Sequence, residues 1–168
     1  NAGKSTLISA ISSATPKVAD YPFTTLTPNL GVVQTGWGKP FVVADIPGLI
    51  EGAHNGAGLG IRFLRHIERT HILVHLIDTS AIDVQNPLAG YKTINAELAG
   101  YSPQLAEKPQ ILVLNKMDLP GTDQTAKILQ TMLKDREVLS ISAVTRKGVK
   151  QLISKIIERL DQFHGNGH

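Results

Sequence analysis

The residues best suited to chemistry in this 168-residue sequence stand at its beginning, where Asn1-Ala2-Gly3-Lys4-Ser5-Thr6 precedes an apolar helical pattern. The run matches the second half of the phosphate-binding motif GxxxxGK[ST]. In that motif Gly3 lets backbone N–H groups approach phosphate oxygens, Lys4 reaches the β- and γ-phosphates, and Ser5 offers its hydroxyl to Mg²⁺. A Gly-Lys-Ser run is also compatible with an ordinary helix cap, so its meaning depends on the remaining elements.

A second candidate element is Asp45-Ile46-Pro47-Gly48, which follows a hydrophobic strand pattern and begins 40 residues after Ser5. The motif DxxG at the end of a strand is typical of a nucleotide-dependent switch. There Asp45 would hold Mg²⁺ through water, and the Gly48 N–H would sense the γ-phosphate. Because this tetrapeptide is common by chance, its position after a strand is the informative part.

Two further elements suit a purine base. Asn115-Lys116-Met117-Asp118 closes the strand pattern ILVL, and the Asp118 carboxylate can accept both N1–H and N2–H₂ of guanine. Adenine offers no donor at those two positions, so such a pocket discriminates against it. The alternative role for Asp118 is to cap a loop turn. Past the last strand, Ser142-Ala143 are small enough for a backbone N–H to approach a base oxygen, and Val144 follows them.

The elements that must position these residues alternate along the chain, as in an α/β sheet with helices on both faces. The ligand should then lie at the carboxyl ends of the strands. The predicted loop spans Ala14 to Asn29, and a turn is predicted over Gly36–Pro40. The strands are predicted at Gly31–Thr35, Phe41–Asp45, His71–Asp78, Ile111–Asn115 and Val138–Ser142, and the helices at Ser5–Ser13, Ile61–Arg69, Pro87–Gly100, Asp123–Lys134 and Lys147–Phe163.

Composition is that of one ordinary globular domain, with 42% hydrophobic and 18% charged residues. The absence of cysteine excludes disulfides and thiolate metal sites and fits a reducing compartment, so we expect a cytoplasmic protein. No run approaches the ~18 apolar residues of a membrane span. The net charge of +3 allows an acidic partner such as RNA but is too small to argue for one.

Taken together, NAGKST, DIPG, NKMD and SA resemble the translation-factor-like class of P-loop GTPases. Two longer stretches, Val18–Val33 and Asp45–Thr70, are similar to the switch regions of the bacterial Obg GTPases. The resemblance implies a P-loop NTPase of the Ras-like G-domain type with a mostly parallel sheet, which hydrolyses GTP and works on the large ribosomal subunit during its assembly. It also implies that residues 1–163 are a G domain lacking its first strand and the beginning of the phosphate loop, with a tail at 164–168.

The resemblance implies individual roles as well. Thr25, 20 residues after Ser5, matches the Mg²⁺-binding switch threonine, with Thr24 as the competing candidate. The Mg²⁺ ligands would then be Ser5, Thr25 and Asp45, and the catalytic groups Lys4, Thr25 and Gly48. The residues expected to bind the nucleotide are Asn1, Ala2, Gly3, Lys4, Ser5, Thr6, Phe23, Thr24, Thr25, Asp45, Ile46, Pro47, Gly48, Asn115, Lys116, Met117, Asp118, Ser142, Ala143 and Val144.

The residue after DxxG departs from the wider GTPase pattern. Many such enzymes have a water-orienting glutamine there, whereas this chain has Leu49, and no arginine precedes Arg62. We therefore expect slow hydrolysis unless a cation or a partner completes the site. Asn1 resembles the K⁺-coordinating asparagine of potassium-stimulated GTPases, and a K⁺ there would neutralise developing charge. The alternative is an asparagine that serves a tight turn.

The second switch is rich in glycine, with five between Gly48 and Gly60, which suits a segment that orders around the γ-phosphate. The following basic stripe, Arg62, Arg65, His66 and Arg69, would either touch the ribosome or form a solvated helix face. Two other functions stay open at this level: a guanine-nucleotide state sensor with negligible hydrolysis, and an inert fragment with an incomplete phosphate loop. The oligomeric state stays open too.

Overall fold

Helices and strands alternate along the described part of the chain, which in this computed structural model comprises residues 3–12, 17–18, 29–35, 38–44, 70–101 and 103–165. Six strands are described in it. A 3₁₀ turn, Thr79–Ala81, follows the fourth strand directly. The elements are α1 Lys4–Ile11, β1 Lys17–Val18, β2 Asn29–Thr35, β3 Gly38–Ala44, β4 Leu73–Asp78, α2 Ala89–Tyr101, α3 Pro103–Ala106, β5 Gln110–Asn115, α4 Thr122–Met132, β6 Val138–Ser140 and α5 Val149–Gly165.

The described strands form two three-stranded sheets. In the antiparallel sheet the order is β1-β2-β3, and in the parallel sheet it is β4-β5-β6, with β5 in the middle. The parallel register sets Asp78 opposite Asn115, at the last residues of β4 and β5. Since parallel strands point the same way, the loops that follow β4, β5 and β6 all leave the sheet at one edge.

The parallel sheet is covered on both faces, because successive side chains of β5 point to opposite sides. On one face, Ile111 and Val113 pack with residues of α1 and α5, and Val33 of β2 joins the same core. On the other face, Leu112 and Leu114 pack against the buried positions of α4. This explains why β5 has an unbroken apolar sequence rather than an alternating one.

Helix α5 is held to the sheet by charge as well as by packing. Glu137, just before β6, accepts a hydrogen bond from Arg159 Nε at 3.0 Å and lies 2.8 Å from Lys155 Nζ. Burial acts to raise the pKa of Glu137, but the hydrogen bonds from Lys155 and Arg159 outweigh it and lower that pKa. The described helices are all too short or too polar to cross a bilayer.

The predicted α/β class is confirmed, while several boundaries differ. A two-residue strand, β1, lies inside the segment predicted as loop, and Gly38–Pro40 belongs to β3 rather than to the turn. Proline is tolerated there because the register with β2 is irregular between Val33 and Thr35. Helix α3 was not predicted, and half of the described pairing is antiparallel where a mostly parallel sheet was expected. The helix predicted over 61–69 lies outside the described residues.

Candidate nucleotide-binding site

The start of α1 is built for close approach of an anion. Gly3 precedes the helix with φ 98°, a left-handed conformation that favours glycine. Lys4, Ser5 and Thr6 are exposed, whereas Leu7, Ile8 and Ile11 are buried and fix the helix in the core. The first turn carries no acidic residue. The partial positive charge of this helix end is therefore not offset within the turn, and it favours a negative group there.

Gly3 also touches the motif expected to bind the base, Asn115–Asp118, which we call the base loop. A Cβ built on Gly3 would lie 2.5 Å from the side-chain nitrogen Nδ2 of Asn115, a distance that real Cβ atoms do not reach. Asn115 is 2% exposed and ends β5. The predicted phosphate loop and the predicted base loop, 112 positions apart in the sequence, are thus in direct contact.

Asn115 holds the loop after β6 as well. Its Oδ1 accepts a hydrogen bond from the Ala143 backbone N–H at 3.0 Å. One of the backbone N–H groups of this Ser-Ala pair is therefore already donated to Asn115 in this structure. Ala143 is buried and Val144 is exposed, with 73% of its surface accessible.

Asp118 has a fixed place in the same group. The Ser142 hydroxyl donates to Asp118 Oδ1 at 2.8 Å and accepts from the Thr145 N–H at 3.1 Å. Ser142 is buried, whereas Asp118 is exposed. The second carboxylate oxygen, Oδ2, can therefore face a ligand while Oδ1 fixes the orientation of the group.

Backbone geometry holds the two loops together. Lys116 has φ 66°, an uncommon conformation for a residue with a side chain. The next residue, Met117, donates its N–H to the Ile141 carbonyl at 3.1 Å. At the far end of the second loop Gly148 has φ 81°, and a Cβ there would lie 2.6 Å from the Ser140 carbonyl oxygen. These contacts define the path of both loops at the carboxyl edge of the sheet.

Two residues that sequence analysis did not assign to the site also belong to this group, Asp78 and Thr79. Lys116 Nζ lies 3.0 Å from Asp78 Oδ2, and the Thr79 hydroxyl donates to the Asn115 carbonyl at 2.6 Å. Burial acts to raise the pKa of Asp78, but hydrogen bonds from Ser80 and Lys116 outweigh it and lower that pKa. The sequence signal was an acidic residue and a hydroxyl at the end of the strand next to β5.

The structure thus brings Gly3 into contact with Asn115 and hydrogen-bonds Asn115 to Ala143 and Asp118 to Ser142. Between them, Lys116 pairs with Asp78, and Met117 donates to the Ile141 carbonyl. Lys4, Ser5, Thr6 and Val144 are described and exposed. The remaining predicted site residues lie outside the described residues, as do Leu49 and the basic stripe. These are Asn1, Ala2, Phe23, Thr24, Thr25, Asp45, Ile46, Pro47 and Gly48.

Of the predicted Mg²⁺ ligands, the described part of the chain contains Ser5. It lies exposed in the first turn of α1, and its hydroxyl is the hard oxygen donor that Mg²⁺ prefers. Within that part, no three His, Cys, Asp or Glu side chains form a metal-binding cluster. The donor chemistry at Ser5 therefore fits a Mg²⁺ that takes its other oxygens from phosphates, water and residues elsewhere in the chain.

Comparison with known proteins shows the family to which the chain belongs. The family model described as 50S ribosome-binding GTPase matches residues 1–116. Over 160 residues the chain is 59% identical to a protein named GTPase Obg from Desulfosudis oleivorans, covering 95% of this chain and 48% of that protein. It is 58% identical over 154 residues to the GTPase Obg of Moorella thermoacetica, covering 91% of this chain and 36% of that protein. The chain therefore spans about half or less of the length of the curated relatives it matches.

Solved structures with the same fold include the G domain of the T. maritima FeoB iron transporter, with a TM-score of 0.68 at 23% identity, over 95% of this chain and 92% of that one. Aquifex aeolicus Era bound to GDP.AlF4⁻ matches with a TM-score of 0.66 at 20% identity, over 95% of this chain and 53% of that one. At these identities the likeness shows the fold, which is that of a G domain. The chain belongs to the 50S ribosome-binding GTPase family, and the members that it resembles over nearly its whole length are the Obg GTPases.

Proposed function

We propose that residues 1–163 form a G domain that binds guanine nucleotides with Mg²⁺, hydrolyses GTP slowly, and acts on the large ribosomal subunit. The observation that carries the proposal is the position of Asn115, which contacts Gly3 of the phosphate motif and the Ala143 N–H of the loop beside Asp118. One side chain thus joins the elements that would hold the two ends of a nucleotide. Family membership supports the same function.

The proposed binding roles follow from the donors and acceptors available. Asp118 would accept the N1–H and N2–H₂ donors of guanine with a carboxylate that Ser142 already orients at 2.8 Å. Gly3 and Lys4 would receive the phosphates at the positive end of α1. Ser5, Thr25 and Asp45 would hold Mg²⁺, which when bound neutralises charge on the β- and γ-phosphates.

Hydrolysis is the attack of water on the γ-phosphorus, with negative charge spread over the γ-oxygens as the bond to the β-phosphate breaks. Lys4 and the Gly48 N–H would stabilise that charge. Leu49, where many relatives of the wider class have glutamine, has no group that could orient the water. Asn1 is the residue we propose to hold a K⁺, which would supply the positive charge that an arginine finger supplies elsewhere.

Single-turnover GTP hydrolysis in matched KCl and NaCl tests the enzymatic part of the proposal, on the protein with its natural flanking sequence. We expect faster turnover in KCl, and Asn1→Ala should remove most of that difference while changing the NaCl rate little. Equal rates in the two salts would refute the role of potassium and leave a group supplied by a partner. Tight GTP binding with no turnover in any condition would instead indicate a nucleotide sensor, and no nucleotide binding would indicate an inert domain.

The ribosomal part of the proposal is supported by the family description, and the net charge of +3 is compatible with an RNA-rich partner. We expect the protein in the cytoplasm, where ribosomes and GTP are available. Co-sedimentation with purified large subunits measures the interaction, with a non-hydrolysable GTP analogue and with GDP. Stronger binding with the GTP analogue is expected, and equal binding in both states would contradict a nucleotide-dependent role.

A further inference from the structure

The end of β4 holds the first two residues of the base loop at two separate points. The Thr79 hydroxyl donates to the Asn115 carbonyl at 2.6 Å, and Lys116 Nζ lies 3.0 Å from Asp78 Oδ2. The register of the parallel sheet places these residues side by side, because Asp78 is paired with Asn115. One contact restrains the backbone of the loop, and the other restrains a side chain.

The first contact is in the interior of the protein. Thr79 is 1% exposed and Asn115 is 2% exposed. A carbonyl at that depth requires a donor, since a buried acceptor without one is strongly unfavourable. The hydroxyl therefore fixes the direction of the Asn115 peptide, at the point where the chain leaves the strand.

The second contact involves a carboxylate that is itself fixed. Asp78 Oδ1 accepts from the Ser80 N–H at 3.0 Å and from the Ser80 hydroxyl at 2.5 Å, which leaves Oδ2 directed at Lys116. The Asp78 side chain is 20% exposed and that of Lys116 33%. A rotating carboxylate on the surface could not set the position of a flexible lysine, but one tied down at Oδ1 can.

Asp78 and Thr79 restrain Lys116, a residue whose backbone conformation is unfavourable. Lys116 has a left-handed backbone with φ 66°, which a residue with a Cβ adopts only when its surroundings enforce it. Thr79 acts on the peptide just before this residue, and Asp78 acts on its side chain. Both contacts therefore oppose relaxation of Lys116 towards an ordinary backbone conformation.

We infer that Asp78 and Thr79 are positioning residues of the guanine site, which act through Lys116 and Asn115 and set how long a bound nucleotide stays. The inference rests on the proposed function, since it assigns a task to residues that support the proposed base loop. It predicts that the nucleotide dissociation rate depends on one side chain at the end of β4 and one in the turn directly after it, neither of which belongs to the sequence motifs.

The experiment measures release of a fluorescent GDP analogue from the protein with its natural flanking sequence. Asp78→Asn keeps the acceptor for Ser80 but removes the charge that faces Lys116. We expect release about tenfold faster, a ratio typical of losing one charge-assisted hydrogen bond. The matched control is Asp83→Asn, an exposed aspartate that accepts from the Gln85 N–H at 2.9 Å and should release GDP at the wild-type rate.

A double-mutant cycle separates positioning from a general structural role. If Asp78 acts through Lys116, then Asp78→Asn should change GDP release less than about twofold when Lys116→Ala is already present. Full additivity of the two substitutions would overturn the inference.

A second pair of variants tests Thr79. Thr79→Val removes the hydroxyl but keeps a side chain of similar shape, whereas Thr79→Ser retains the hydroxyl. Fast release in Thr79→Val together with near-wild-type release in Thr79→Ser is expected, and equal effects would overturn the role of the hydroxyl.

Chemical modification of Lys116 in the absence of nucleotide tests its pairing with Asp78 separately from the proposed binding of guanine nucleotides. The rate at which an amine-acylating reagent modifies Lys116, followed by mass spectrometry, should rise several-fold in Asp78→Asn, while exposed Lys127 on α4 should not change. An unchanged rate at Lys116 would overturn the pairing with Asp78. A wild-type protein that does not bind GDP would refute the proposed guanine site and with it the assigned task, and the acylation rates would still decide whether Asp78 holds Lys116.

Discussion

Asn115 uses its polar groups for contacts within the protein. Its Oδ1 accepts from Ala143, its carbonyl accepts from Thr79, and its Nδ2 lies against Gly3. Such a residue cannot be exchanged for a similar one, because each contact requires a particular donor or acceptor at a particular place. The same side chain makes the phosphate motif and the base loop dependent on each other.

This contact makes Gly3 intolerant of a single added methyl group. In Gly3→Ala the Cβ would meet Asn115 Nδ2 at 2.5 Å and would also stand in a left-handed backbone. We therefore expect GDP affinity to fall at least tenfold, measured by titration with a fluorescent analogue. The control is Gly90→Ala in the exposed part of α2, where no atom lies within 4 Å of the new Cβ. It should retain affinity and stabilise the protein by about 0.5–1 kcal/mol, because alanine favours a helix.

Asp118→Asn should change which base is preferred. The amide retains an oxygen but replaces a carboxylate acceptor with a donor, so it should disfavour guanine and favour xanthine, whose ring carries an oxygen where guanine has its amine. Losing the charged contact should cost roughly 2–4 kcal/mol of GTP binding energy. Competition between GTP and xanthosine triphosphate measures the preference. An unchanged guanine preference would show that Asp118 does not face the base.

At this scale the sequence predicted the residues of short motifs and missed those that support them. Asn115, Asp118 and Ser142 belong to short sequence motifs that directly follow predicted strands, so their proximity could be expected from the sequence. Asp78 and Thr79 could not be selected, because many strands end in a polar residue and only the register with β5 shows which one meets Lys116.

At the scale of elements, β4 connects the candidate site to the helix layer beside it. Its last residue, Asp78, holds Lys116, while His75 near its middle stacks on Tyr91 of α2, with ring centroids 5.5 Å apart. His75 is 8% exposed, and within the described residues its buried Nδ1 has no hydrogen-bond partner. This strand thus buries an ionisable ring three residues before Asp78.

The buried ring should make stability depend on pH. Burial lowers the pKa of His75 from 6.5 to about 4, against a smaller raising effect of its hydrogen bond with Gln110. Below pH 6.5 the unfolded chain binds a proton there that the folded chain does not, so the stabilisation present above pH 6.5 is lost as the pH falls towards 4. The loss should reach up to about 3 kcal/mol.

Denaturant unfolding of wild type and His75→Leu at several pH values between 7 and 4 measures this effect. The variant cannot titrate at that position and has no orphaned ring nitrogen, so its free energy of unfolding should fall less steeply with decreasing pH. Parallel curves for the two proteins would contradict the assignment to His75.

Elements were predictable wherever the apolar pattern was strong. The strands near 73–78 and 110–115 and the helices near 89–101, 122–132 and 149–165 agree with prediction to within a few residues. The polar segment around β1 was not recognised, because a two-residue strand is formed by its pairing with β2 and leaves no periodic pattern. Pro40 likewise suggested a turn, although an irregular register accommodates it in a strand.

At the scale of the whole molecule, the candidate site draws on elements that are far apart in sequence. The beginning of α1, the ends of β4 and β5 and the loop after β6 meet at one edge of the parallel sheet. A ligand bound there would contact several of them at once. Binding should therefore stabilise the fold as a unit rather than one segment of it.

We expect GDP with Mg²⁺ to raise the free energy of unfolding according to its affinity. At a free concentration of 100 times Kd the gain should be about 2.7 kcal/mol, since the ligand binds the folded state alone. Thermal unfolding with GDP and with ADP at equal concentrations measures it, and ADP should produce little change. Equal stabilisation by both nucleotides would contradict a pocket selective for guanine.

The central place of β5 has a consequence for the order in which the molecule opens. Its residues from Ile111 to Asn115 are all buried, and it is hydrogen-bonded to a strand on each side. Amide hydrogens of β5 should therefore exchange with solvent later than those of β4 and β6 at its flanks. Because the base loop begins at the end of β5, the strand to which the loop is attached should stay folded while other segments unfold locally. An arriving base would then meet a surface already in place, and little conformational entropy would be lost at that end of the ligand.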